Sequence, residues 1–131
     1  MNKPFNYEKE QHKLFKMVVD RLQKAQTISE AQQSLDVLRE VGEHGDVDAL
    51  MLYGVALLME EKPWYDAEKG KAALEAAADA DSPVAQYYLG MILLEGRRDI
   101  PADPITAKVF LESSANRGYP PAIEIVEKRW R

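Results

Sequence analysis

The sequence contains no cysteine, which removes disulfides, thiol nucleophiles and thiolate metal sites together. Histidine is nearly absent too: His12 and His44 are the only two. Neither has a companion at a metal-binding or catalytic spacing, and the helical zinc pattern HExxH is missing. Basic charge is not in excess. Twenty-two acidic and 17 basic side chains give a net charge of -5 with no run of five like charges, so the basic stripe that nucleic-acid binding demands is lacking. Long apolar runs are lacking as well. The longest, Ala49 to Met59, is broken at Gly54 and covers only about half of the ~20 residues needed to cross a bilayer. Residues 1–20 mix charged and apolar groups too finely for a signal peptide, and the expectation is a cytoplasmic protein of a bacterial cell, with no membrane contact. No segment shows the sustained alternation of a strand.

What is present is a repeat. Across 131 residues, 46% of them hydrophobic and 30% charged, a single soluble domain is expected. Ser34, Leu38, Gly42, Gly45 and Ala49 align with Gly70, Leu74, Ala78, Asp81 and Ala85, and again with Ala107, Leu111, Ala115, Gly118 and Ala122. The internal spacing is the same in each set, and the sets are offset by 36 and then 37 residues. Self-similarity at this period is the mark of a helical solenoid.

Each copy also reads as helical by itself. Ala31, Leu35, Leu38 and Val41 recur at three and four residues, the pattern of one buried helical face. Thr27 with Glu30 forms a capping box whose hydroxyl and carboxylate are expected to satisfy free amides. Asp66 caps a later helix, Asp103-Pro104 starts another, and Gly96 ends one. The pattern predicts helices over 7–25, 29–41, 47–59, 66–79, 82–95, 103–116 and 120–128. Short connections make successive helices antiparallel neighbours. Small residues at Gly54, Gly90, Ala78 and Ala115 allow close crossings. The fold class is all-α: a short right-handed α–α superhelix of about three helix pairs plus a C-terminal capping helix. Within one domain over 1–131, a degenerate leading pair covers 7–43, repeat one 47–79, repeat two 82–116 and the capping helix 120–128.

The run Ala85-Gln86-Tyr87-Tyr88-Leu89-Gly90, continued by Gly96, Asp103, Ala107, Leu111, Ala115 and Gly118, resembles the Sel1-like repeat, a relative of the tetratricopeptide repeat. The resemblance is good from Ala85 to Gly118, fair from Ala49 to Asp81 and faint before Ser34. Asp81 stands where glycine is usual, Gly70 where alanine is usual, and the loop Glu60 to Tyr65 lacks the family's glycines. The resemblance implies stacked helix pairs whose first helices line a concave groove, and a scaffold or adaptor role. Its register places Met51, Val55, Met59, Tyr87, Met91 and Glu95 on the concave side. Methionine adapts to irregular apolar partners and tyrosine adds contact area with a hydroxyl, so a short amphipathic helix or extended peptide is the fitting ligand. The plain alternative for each residue is ordinary core packing.

Other features have two readings each. Trp64 in Lys62-Pro63-Trp64-Tyr65 is either an exposed anchor or a cover folded over helix ends. Arg97 and Arg98 either grip a carboxylate or compensate a helix dipole; Lys128, Arg129 and Arg131 around Trp130 read as dipole compensation. Leu14, Phe15, Val18, Val19 and Leu22, with Phe5 before them, form a broad apolar face that belongs to a leading repeat or to a homodimer contact. Catalysis requires converging, tuned polar groups; His44 sits in a helix-to-helix turn, and Gly42-Glu43-His44-Gly45 has no lysine to serve a phosphate. The sequence therefore reads as a non-enzymatic protein-binding module without cofactor or metal, with an immunity or inhibitor protein as the alternative. The alternative requires its acidic residues gathered on one patch.

Overall fold

A computed structural model describes the backbone from residue 7 and the side chains from residue 12 to the C-terminus. Phe5 lies outside the described residues. Among these residues there are seven helices: α1 (Tyr7–Lys24), α2 (Ile28–Glu43), α3 (Val47–Leu57), α4 (Ala67–Asp79), α5 (Pro83–Glu95), α6 (Pro104–Asn116) and α7 (Pro120–Trp130). No strand occurs among them; a single two-residue bridge, Arg97 with Ile100, closes the turn after α5.

Local chemistry sets the helix starts. The side chains of Thr27, Asp46, Asp66, Ser82 and Asp103 each accept the backbone N–H three residues on, satisfying one of the orphan donors of a first turn. At Thr27 the expected box is modified: its hydroxyl accepts from Glu30 N and donates to the Glu30 carboxylate at 3.0 Å. The carboxylate thus accepts a hydrogen bond from a hydroxyl where one from an amide was expected. Asp103 is held below the usual carboxylate range because it accepts from Thr106 through both side chain and backbone.

The helix ends show the repeat in hydrogen bonds. Asp46 N donates to Val41 O, Ser82 N to Ala77 O and Tyr119 N to Ser114 O, each at 3.2 Å. One residue earlier, Gly45 N donates to Gly42 O, Asp81 N to Ala78 O and Gly118 N to Ala115 O, at 2.9–3.0 Å. These paired bonds are the Schellman closure, which needs a left-handed residue at its centre. Gly45, Asp81 and Gly118 supply it with φ of 105°, 68° and 85°. Asp81 takes a conformation that costs a side-chain-bearing residue about 1 kcal/mol, and its carboxylate accepts from Arg117 Nη2 at 2.8 Å, the same turn one repeat on. The return turns also correspond: Asp66 N donates to Leu57 O at 2.8 Å and Asp103 N to Leu93 O at 2.7 Å.

Packing follows the same period. Leu38, Leu74 and Leu111 are fully buried, as are Ala49, Ala85 and Ala122. The most extensive helix contacts are α5 with α6 and α3 with α4, followed by α2 with α3; α1 rests on α2 and touches α3 lightly. At the α3–α4 crossing a Cβ on Gly54 would lie 2.9 Å from Gly70 O and 3.1 Å from Leu74 N. Backbone therefore meets backbone there, and any side chain at Gly54 forces the helices apart. At the matching position in the next unit, a Cβ on Gly90 would lie 2.7 Å from Leu111 Cγ.

Gly54→Val is expected to destabilise the protein by about 2–3 kcal/mol through overpacking. Gly45→Ala meets nothing within 4 Å and is expected to lose only the left-handed penalty of about 1 kcal/mol. Urea titration followed by circular dichroism measures both, and a Gly54→Val protein no less stable than Gly45→Ala would contradict the crossing geometry.

Candidate functional site

The three α3 candidates fall on one side of the array. Met51 and Val55 lie four residues apart on α3, one turn along the same face. Met59 lies just past the helix, which ends at Leu57 two residues earlier than the periodicity predicts. All three are half-buried. Because α3 is apolar around most of its circumference, it feeds a core on one side and still presents apolar side chains on the other.

Their facing wall is α1. An open cleft of about 610 Å³ runs between Phe15, Lys16 and Val19 of α1 and Asp48, Met51 and Leu52 of α3. A smaller one of about 130 Å³ continues it between Leu22 and Gln23 of α1 and Val55, Ala56 and Met59. The two share Val19, Gln23 and Leu52, so they form one trough. Its floor is apolar, and His12, Lys16, Asp20 and Asp48 stand among its lining residues. Such a surface suits an amphipathic segment: apolar contact below, mixed charge at the sides.

The far end of the trough is braced by a loop. Lys62 Nζ donates to Gln23 O at 2.9 Å and Ala25 O at 2.8 Å, closing the C-terminus of α1. Its ammonium also lies over the Trp64 ring, 5.5 Å from the centroid. Trp64 itself is only 6% exposed, and its indole N–H donates to Ala56 O at 3.1 Å. The folded-back reading of Trp64 is the one the structure adopts. The indole takes an α3 carbonyl near its C-terminus, which helps end the helix before Met59. Nothing in the local sequence signalled the Lys62 contact, since its partners are 37 and 39 residues away.

The α5 candidates are placed differently. Tyr87, Met91 and Glu95 occupy the register positions of Met51, Val55 and Met59 one repeat on, but the trough takes its second wall from α1 and none of its lining from α5. Tyr87 and Met91 are half-buried and Glu95 is exposed. Tyr87 packs against Tyr119 with ring centroids 5.4 Å apart and against Tyr88 at 6.1 Å, edge to face. Burial, with the neighbouring Tyr88 and Tyr87, pushes the Tyr119 phenol above its ordinary value. The sequence reading passed over Tyr119, which stands outside any motif at the cap of α7.

The remaining sequence candidates are spent on structure. Arg98 lies over the Tyr65 ring at 5.3 Å, and the Tyr65 hydroxyl donates to Arg98 O at 2.9 Å and the Asp99 carboxylate at 3.1 Å. Lys128 pairs with Glu124 at 2.8 Å. His44 closes α2, its Nδ1 lying 2.7 Å from Glu40 O. Among the described residues no group of three or more His, Cys, Asp or Glu could hold a metal ion, and no helix is long and apolar enough to cross a membrane.

No family model matches the sequence, and no curated protein matches it. Among solved structures, the chain is similar to a Sel1 repeat protein from Oxalobacter formigenes, with 26% identity and a TM-score of 0.65 over 88% of this chain and 86% of that one. The likeness thus spans most of the chain.

Tyr119 has a folded pKa raised above its unfolded one, so its contribution to stability is intact below about pH 10 and is lost as pH rises through the folded value. Absorbance titration of the native protein is expected to show a late-ionising tyrosine fraction that Tyr119→Phe reduces. A native curve unchanged by that substitution would contradict the packing of the cluster.

Proposed function

The chain belongs to the Sel1-like repeat family, and from that premise we propose that it is a non-enzymatic protein–protein interaction module that seats a short amphipathic helix in the trough between α1 and α3. The observation that carries this reading is the trough itself. Met51, Val55 and Met59 face Val19 and Leu22 across an open channel with an apolar floor. Methionine at two of these positions lets the surface conform to a partner's side chains.

Tyr87, Met91 and Glu95 extend the seat onto α5, because they repeat the register of the α3 trio. The acidic residues support this reading over an inhibitor. They are interleaved with bases along the helices, as in Asp36, Arg39 and Glu43, Lys71 with Glu75, and Lys108 with Glu112, and are not gathered into a single field. The two histidines sit on different elements, one spent on a helix end, which supports a role without catalysis.

Selection of helical amphipathic peptides from a displayed library on the intact protein tests the proposal. Met51→Glu with Met59→Glu is expected to weaken the selected peptides by tenfold or more with helicity unchanged, and Tyr87→Glu with Met91→Glu to weaken them less. Peptides that bind the α3 double variant as tightly as the parent would overturn the assignment of the trough.

A further inference from the structure

The trough is uneven along its length, and its far end has the dimensions of a single side chain. Residue numbers rise together on both walls, from Lys16 and Asp48 at one end to Gln23 and Met59 at the other, so α1 and α3 run in the same direction beside it. At the second end the cleft narrows to about 130 Å³ between Val19, Leu22, Leu52, Val55, Ala56 and Met59, with Gln23 the polar member of the lining. A cavity of about 150 Å³ lined by aliphatic and aromatic side chains holds one benzene molecule. The space here therefore takes one phenyl ring. A charged or amide side chain in its place would lose water without gaining matching partners.

The pocket is held in shape before anything enters it. Two of its lining residues have their backbone carbonyls engaged from the α3–α4 loop: Gln23 O by Lys62 Nζ at 2.9 Å and Ala56 O by the Trp64 indole at 3.1 Å. Fixed walls reduce what a ligand loses in ordering them. Ala56 supplies the room, since its register position one repeat on carries the much larger Ile92.

The opposite end of the trough supplies charge. Lys16 of α1 and Asp48 of α3 are exposed and stand on facing walls. Neither forms an ion pair among the described residues, whereas Asp20 on the α1 wall is engaged by Lys24 at 3.1 Å. Asp48 precedes Val55, and Lys16 precedes Gln23, by two helical turns, about 10 Å in each case. A ligand helix with a ring in the pocket therefore brings residues two turns away between these charges. There an acid facing α1 and a base facing α3 complement both walls, and the turn between rests on Met51 and Leu52 and is apolar.

Building on the assignment of the trough to a partner helix, we propose that its closed end is an anchor pocket for one phenylalanine of that helix, and that an acid and a base two turns from the phenylalanine pair with Lys16 and Asp48. A buried aromatic anchor of this kind carries a large share of the binding energy of a small interface.

Substitution of peptides selected on the full chain tests the proposal. Replacing the anchor phenylalanine by alanine is expected to weaken binding about thirtyfold or more, and replacing it by tryptophan to weaken it as well, because the indole exceeds the space. Met59→Ala enlarges the pocket and is expected to reverse that order, so that the tryptophan peptide binds better than the phenylalanine one. Lys16→Glu is expected to weaken the original peptide about fivefold, and exchanging the peptide's acid for lysine to restore it. Toluene alone reads the pocket without any peptide, and is expected to shift the methyl NMR signals of Val55 and Met59. Unmoved methyl signals overturn the anchor pocket. So do peptides that lose affinity in Met51→Glu with Met59→Glu yet show no size preference at any apolar position, a result that leaves the trough itself standing. Peptides indifferent to that double variant overturn the trough and the pocket together.

Discussion

The close approach of backbone to backbone at Gly54 and Gly70 is the contact on which the rest of the array depends. With no side chain between them, α3 and α4 cross near enough for Leu74 to be sealed completely. Dispersion contacts fall away steeply with distance, so a crossing widened by one methyl group would loosen every side chain in the layer. The next unit reaches the same result with Gly90 against Leu111, and Leu38 holds the matching place in the first. The Schellman closures at Gly45, Asp81 and Gly118 then close each of these chain reversals with the same pair of hydrogen bonds.

The proposed function depends on where that regularity stops. Between α1 and α3 the helices touch lightly, and the space that a close crossing would have filled remains as a trough floored by Val19, Met51 and Val55. An apolar channel open to water is costly, and α1 has fewer neighbours than any inner helix to hold it in place. Lys62 offsets part of that weakness by closing the last carbonyls of α1, with Trp64 buried beneath the same loop. The proposed binding surface and the least firmly held helix are thus the same part of the molecule. Regions that move on ligand binding are drawn from the least stable part of a fold, so a ligand seated there also steadies α1.

The helices were legible because their signals are local. A capping side chain acts three residues away, and Thr27, Asp66 and Asp103 declare their helices within one turn of sequence. The repeat was legible because the buried leucines and alanines keep a fixed spacing, and the need for small residues at Gly54 and Gly90 followed from that spacing. Asp81 hid one of the turns: an aspartate does not announce a left-handed residue, and its Arg117 partner comes a full repeat later. The end of α3 was misplaced by two residues for a similar reason, since the groups that stop it, Trp64 and Asp66, act from beyond the loop. For the candidate site, the apolar character of α1 and the α3 trio could both be read, but their meeting across a trough could not, because residues 7–24 and 47–57 are separated in sequence by the whole of α2 and touch only lightly. The tyrosine cluster escaped altogether, as Tyr119 meets Tyr87 across more than thirty residues.

Native-state hydrogen exchange measured by NMR tests the central claim most directly. If the close crossings bind neighbouring units into one cooperative body, the slowest amides of α3, α4, α5 and α6 share a single opening free energy and shift together in Gly54→Val, while α1 opens at lower cost. Separate opening energies for α3–α4 and α5–α6, with Gly54→Val affecting only the former, would contradict it.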